Sequence, residues 1–133
     1  MPEKKKTILL VDDEPDALAF VEAIVSEMGD FNIVKASDGE SALREVRAGL
    51  PDLIILDVMM PGKEGFEVFY ELNQDKQTAN VPVIMLTGVS EERHMKFSAK
   101  AMGDYFGSEP FAFIDKPVNP EKLQKAIQGA LGG

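Results

Sequence analysis

The chain contains no cysteine, which excludes disulfides and thiolate-held metals and fits a reducing compartment. No apolar run approaches the ~20 residues a helix needs to cross a bilayer, so membrane insertion is not expected. Basic residues are scarce beside acidic ones: 14 lysines and arginines against 23 aspartates and glutamates leave a formal charge of −9. A surface of that sign does not track a phosphate backbone, and direct nucleic-acid binding is not expected either. The run Lys4, Lys5 and Lys6 is too short to reverse this. Followed by Thr7 to Val11 it has the look of a signal peptide, but the apolar part is short and runs straight into Asp12 and Asp13. A cytoplasmic location is the expectation. Repeats, low-complexity tracts and linkers are lacking too. The 133 residues therefore read as one domain, 1–133, with a flexible tail over 1–6 and enough chain for an unstapled core.

What is present is organised around the stretch from Asp52 to Gly62. Four consecutive aliphatic residues, Leu53 to Leu56, read as a strand covered on both faces, and they end abruptly in a carboxylate, Asp57. Upstream, Thr7 to Val11 is a first strand. Pro15 then suits the first turn of a helix in which Leu18, Val21, Val25 and Met28 fall at helical spacing, with Gly29 closing it. Phe31 to Ala36 reads as a second strand. Ser37 to Glu40 has the S-x-x-E spacing of a capping box, opening a helix with Leu43 and Val46 inward.

Beyond the central strand, Gly65 to Asn73 predicts a third helix with Phe66, Phe69 and Leu72 at three-residue steps. Gln74 to Asn80 reads as a polar loop, and Val81 to Leu86 as a fourth strand with Pro82 near its start. Ser90, followed by Glu91 and Glu92, caps a fourth helix that Gly103 ends. Phe111 to Ile114 is a fifth strand. Asn119 and Pro120 open a last helix with Leu123, Ile127 and Leu131 buried. Strands alternating with helices in this way make a doubly wound α/β domain with a parallel sheet.

The strand exits carry the chemistry. The first strand stops at Asp12 and Asp13, the third at Asp57, the fourth at Thr87 and Gly88, and the fifth at Asp115, Lys116 and Pro117. In an open parallel sheet these ends share one edge, where such folds bind their ligands. One aspartate at a strand exit is ordinary turn chemistry. Carboxylates, a hydroxyl and an ammonium at four of five exits are a site.

With Val11-Asp12-Asp13, Asp57 through Pro61-Gly62, Thr87-Gly88 and Lys116-Pro117 in place, the chain from about Thr7 to Leu131 resembles the receiver domain of bacterial two-component response regulators. The resemblance implies the flavodoxin-like strand order 2-1-3-4-5 and a phosphoacceptor signalling switch. It further implies a histidine kinase or histidine phosphotransfer protein as donor, and an unknown downstream protein as the reader of the changed face. Three carboxylates crowded together repel by about 4 kcal/mol per pair at ~4 Å and an effective dielectric near 20. A hard divalent cation relieves this, and Mg²⁺, with Mn²⁺ as a substitute, suits carboxylates, waters and a substrate phosphate. Asp12, Asp13 and Asp57 are thus the expected metal ligands, joined by resemblance by the backbone carbonyl of Met59. Asp57 is the expected nucleophile and phosphoacceptor, with Lys116 and Thr87 acting on the phosphoryl oxygens. The family's switch implies movement of Thr87 and of the aromatic three residues before the lysine, here Phe113. The Lys116–Pro117 bond is cis in the family, although sequence alone favours trans.

Two positions that tune phosphoryl lifetime in this family are apolar here, Met59 and Val89, so self-dephosphorylation should be slow. Residues 104–110 add length to the link before the fifth strand. That extra segment, with Tyr105 and Phe106, puts the usual partner surface of the family's fourth helix and fifth strand in doubt. His94 reads as a solvated helix residue. Rival readings are a phosphorylation-independent docking module and a Mg-dependent phosphohydrolase with an aspartate nucleophile. The hydrolase would want a second acid where Met59 stands, and a docking module would have no use for the complete acidic and lysine set. The chain closes soon after Leu131, compatible with a stand-alone receiver or a piece of a larger regulator or hybrid kinase.

Overall fold

In the computed structural model residues 5–57, 65–87 and 111–132 are described. Five strands, β1 (Thr7–Val11), β2 (Asn32–Ala36), β3 (Leu53–Asp57), β4 (Val83–Thr87) and β5 (Ala112–Asp115), form one sheet in the order β2-β1-β3-β4-β5. Every neighbouring pair is parallel. The described helices are α1 (Pro15–Met28), α2 (Gly39–Ala48), α3 (Gly65–Gln74) and α4 (Pro120–Ala130). This is the doubly wound architecture expected from the sequence, in the strand order that the resemblance implies. The helix expected from Ser90 to Gly103, with His94, lies outside the described residues, as does the 104–110 segment.

Side-chain alternation along the strands divides the core between two faces. Leu9, Val11, Ile54, Leu56, Val83 and Met85 pack with α2 and α3. Their alternates Ile8, Leu10, Leu53, Ile55, Ile84 and Leu86 pack with α1 and α4. All five residues of β3 are buried, which is why that strand reads as a continuous aliphatic run and not as an alternation. The sheet is therefore clamped from both sides.

Several boundaries differ from the expectation for identifiable reasons. β2 begins at Asn32, with Phe31 half-buried against the α1 side of the core. β4 begins at Val83: Pro82 has no N–H for the ladder, though its carbonyl accepts from Ile54 at 3.0 Å. β4 and β5 each run one residue further, taking in Thr87 and Asp115. α2 is capped by Asp38, whose carboxylate accepts the Ser41 N–H at 2.7 Å, and not by Ser37. Leu131 is half-buried, just past the end of α4. The supposedly polar loop after α3 hides a buried residue, Thr78, whose hydroxyl donates to the Leu72 carbonyl at 2.5 Å.

Candidate functional site

Asp12 follows β1 directly, and its N–H prolongs the ladder by donating to the Ala36 carbonyl at 3.1 Å. Asp57 is the last residue of β3, in register with Leu86 of β4. Lys116 follows the last residue of β5. Because the strands are parallel, these positions come out on one edge of the sheet. One carboxylate oxygen from each of Asp12, Asp13 and Asp57 lies within 4.8 Å of the others. The Lys116 ammonium donates to Asp57 Oδ1 at 2.8 Å and stands 3.7 Å from Asp12 Oδ2. Lys116 adopts a cis peptide bond to Pro117.

Burial differs sharply within this group. Asp12 and Asp57 are each 3 % exposed, whereas Asp13 lies at the surface. Asp12 Oδ1 accepts the Glu14 N–H at 3.0 Å, which fixes the rotation of the carboxylate. Its other oxygen, Oδ2, is buried without a hydrogen-bond partner among the described residues. Burial pushes the Asp12 carboxyl above its ordinary value, and the nearby Asp13 carboxylate pushes the same way. The Glu14 amide and the Lys116 charge pull it down without overcoming the desolvation.

Among the described residues, three carboxylates and one ammonium leave two negative charges in the cluster, an imbalance that a divalent cation would neutralise. Asp12 Oδ2 has no hydrogen-bond partner among the described residues, and the donor set is all oxygen, as hard cations require. The residues fit a divalent metal. A cavity of about 450 Å³ lies at the other end of the strands, between Thr7, Leu9, Val34, Glu45 and Gly49. Chemistry, and not concavity, marks the site.

Thr87 takes the last position of β4, opposite Asp115 of β5; its side chain, Met59 and Val89 lie outside the described residues. Phe113 is half-buried and packs on the α2–α3 side of the core, paired in register with Met85. The sequence pointed to Asp12, Asp13, Asp57 and Lys116 through their places at the strand exits. It did not point to the Glu14 backbone amide as a partner of Asp12. The signal for that was an aspartate two residues before an extended position, the spacing of an Asx-turn.

A doubly wound parallel sheet with an acidic cluster and one lysine at its C-terminal edge defines a class of phosphate- and metal-handling α/β domains. Residues 8–128 match the family described as the response regulator receiver domain, and the chain belongs to that family. Protein PilH of Pseudomonas aeruginosa is 32% identical over 126 residues, covering 95% of this chain and 98% of PilH. The alkaline phosphatase synthesis transcriptional regulatory protein PhoP of Bacillus subtilis is 34% identical over 95% of this chain but only 48% of PhoP. The chain spans about half the length of most of the curated relatives it matches, such as PhoP. Among solved structures, Vibrio cholerae chemotaxis protein CheY4 is similar with a TM-score of 0.78 and 30% identity, over 96% of this chain and all of CheY4. Receiver domains are signalling switches, generally not enzymes; histidine kinases phosphorylate them, and they bind Mg²⁺ through acidic residues. No described helix is long and apolar enough to cross a membrane.

Proposed function

We propose that this receiver domain, residues 1–133, takes a phosphoryl group on Asp57 from a phosphohistidine of a histidine kinase or histidine phosphotransfer protein. The observation that supports this most is the clustering of three carboxylates, two of them within ion-pair reach of Lys116, with Asp57 buried and directly paired to it. An Asp57 carboxylate oxygen attacks phosphorus in line. A new P–O bond forms as the donor P–N bond breaks, and the imidazole nitrogen keeps the electron pair and takes a proton. Asp12, Asp13 and Asp57, with the Met59 carbonyl, would hold Mg²⁺ or Mn²⁺, which when bound neutralises charge on the carboxylates and the incoming phosphoryl oxygens.

Lys116 serves both states. Before transfer it neutralises Asp57; afterwards its ammonium turns to the phosphoryl oxygens, so the lysine never loses its anionic partner. Thr87 would donate its hydroxyl to the same group, drawing the end of β4 inward. Phe113 then repacks from its half-buried place. With no hydroxyl to bond, it couples the change through shape alone. The altered face would be read by a downstream protein. A cytoplasmic location would suit this reaction and its reader. Beyond accepting the group, the domain would contribute slow turnover of the acyl phosphate.

Incubating the protein with a small-molecule phosphodonor and Mg²⁺, then measuring intact mass, tests the proposal. Native protein should gain one phosphoryl group; Asp57→Asn, or native protein with chelator, should gain none. Native protein that stays unmodified would leave a docking module as the better account, and equal uptake by Asp57→Asn would move the acceptor elsewhere. Met59→Asn, which offers a hydrogen bond to an attacking water, should shorten the phosphoryl lifetime measured by the same assay; an unchanged or longer lifetime would contradict the role given to Met59.

A further inference from the structure

Helix α1 starts in a way that its own sequence does not favour. Asp and Asn are among the best helix N-cap residues and Glu is not, yet the N-cap of α1 is Glu14, with no side-chain cap hydrogen bond, directly after Asp12 and Asp13. The same chain caps well elsewhere. Asp38 caps α2 through the Ser41 amide, and Asn119 caps α4 through the Lys122 amide at 3.0 Å. The comparison with α4 is informative because both helices carry proline at their first position. In α4 the capping residue immediately precedes Pro120. In α1 a glutamate stands between Asp13 and Pro15.

Proline acts here on two counts. A residue before proline is driven out of the helical region into extended backbone, and Glu14 sits there at φ −101 and ψ 119. If Glu14 were helical, the helix would begin one residue earlier and Asp13 would become its cap, its carboxylate taking the N–H of residue 15 or 16. Pro15 bars the first by sterics and, for the second, withdraws one of the two N–H groups, leaving only that of residue 16. An Asp13 carboxylate spent on the helix would be lost to the cluster, where its oxygen lies within 4.8 Å of those of Asp12 and Asp57. The extended Glu14 is also the residue whose N–H fixes Asp12 Oδ1 and leaves Oδ2 open.

We propose that Pro15 is a positioning residue: it holds the start of α1 one residue late, so that Asp13 stays in the carboxylate cluster and is not drawn into capping the helix. This rests on the cluster being the metal site proposed above. In Pro15→Ala, the Mg²⁺ affinity by calorimetry should fall roughly tenfold, the scale of effects from residues that orient metal ligands. The metal-free melting temperature should hold or rise, since the helix gains a cap. The Glu14 Cα chemical shift in the metal-free protein should move from extended to helical. Adding Glu14→Ser to Pro15→Ala supplies a good cap at position 14 and should restore both the late start and the native affinity. A Glu14 shift that stays extended, an affinity that stays native in Pro15→Ala, or a double variant that fails to recover would overturn the proposal. A helix merely stabilised by proline would instead lose melting temperature without losing affinity, which likewise overturns it. If the native chain itself fails to bind Mg²⁺ while Glu14 becomes helical in Pro15→Ala, the control of the helix start stands and the metal reading falls.

Discussion

The Asp12 carboxylate is held on one oxygen by the Glu14 amide, while the other is buried without a hydrogen-bond donor among the described residues. A charge kept this way weakens the metal-free fold. Its carboxyl is raised above the ordinary 3.8, so the folded protein holds that proton more tightly than the unfolded chain. The linkage follows: stability from this group is fully present below pH 3.8 and is lost as pH rises through the folded value. Asp12→Asn should therefore remove that slope and raise the metal-free melting temperature at neutral pH by roughly 3 °C, while abolishing stabilisation by added Mg²⁺. Thermal melts across pH, with and without the ion, measure both; a variant that melts lower yet still responds to Mg²⁺ would contradict the role assigned to Asp12. No feature of the bare sequence distinguishes Asp12 from Asp13. That one is buried and the other exposed follows from the Asp12 N–H continuing the ladder to Ala36, a pairing between strands that lie far apart in sequence.

Among the elements, what could be read beforehand was set by local physics. The Asn119 cap with Pro120 behind it, the buried β3 run and the apolar stripe of α1 all depend on residues close in sequence. The misplaced features are equally local, but they turn on backbone conformation that residue spacing does not show. Ser37 has the right spacing for a cap, but Asp38 sits at the last extended position before α2 and takes the bond to Ser41. Thr78 looks like a loop residue until the Leu72 and Asp75 carbonyls are seen to receive its hydroxyl. Asp38 also carries a pH dependence of the opposite sign to Asp12. The Ser41 amide lowers its carboxyl below 3.8, so its support of α2 is present above that value and is lost as pH falls through the folded one. In α4, Gly129 invites a separate test. A Cβ there would meet the Phe111 ring at 3.2 Å, but that ring is 50 % exposed and free to tilt outward. Helix propensity should then win, and Gly129→Ala should stabilise by about 0.5 kcal/mol in urea denaturation; a loss of stability would mean that the Phe111 packing is rigid.

For the whole molecule, the parallel sheet turns a one-dimensional pattern into a three-dimensional site. Residues 12, 57 and 116 are remote in the chain and adjacent in space because each stands at or just past the end of a strand pointing the same way. That is why fold and site were legible together. Distances, burial and the division of labour between Asp12 and Asp13 were not legible, since they depend on contacts between elements, such as the Asp12 N–H pairing with Ala36. The central claim is that the Asp57 side chain carries the phosphoryl group. Borohydride reduces an acyl phosphate to an alcohol, so treating the phosphorylated protein with borohydride and sequencing its peptides by mass spectrometry locates the acceptor directly. Homoserine in place of aspartate at position 57, dependent on both phosphodonor and Mg²⁺, is the predicted result; homoserine at 12 or 13, or unchanged aspartate at all three positions after confirmed phosphoryl uptake, would contradict it.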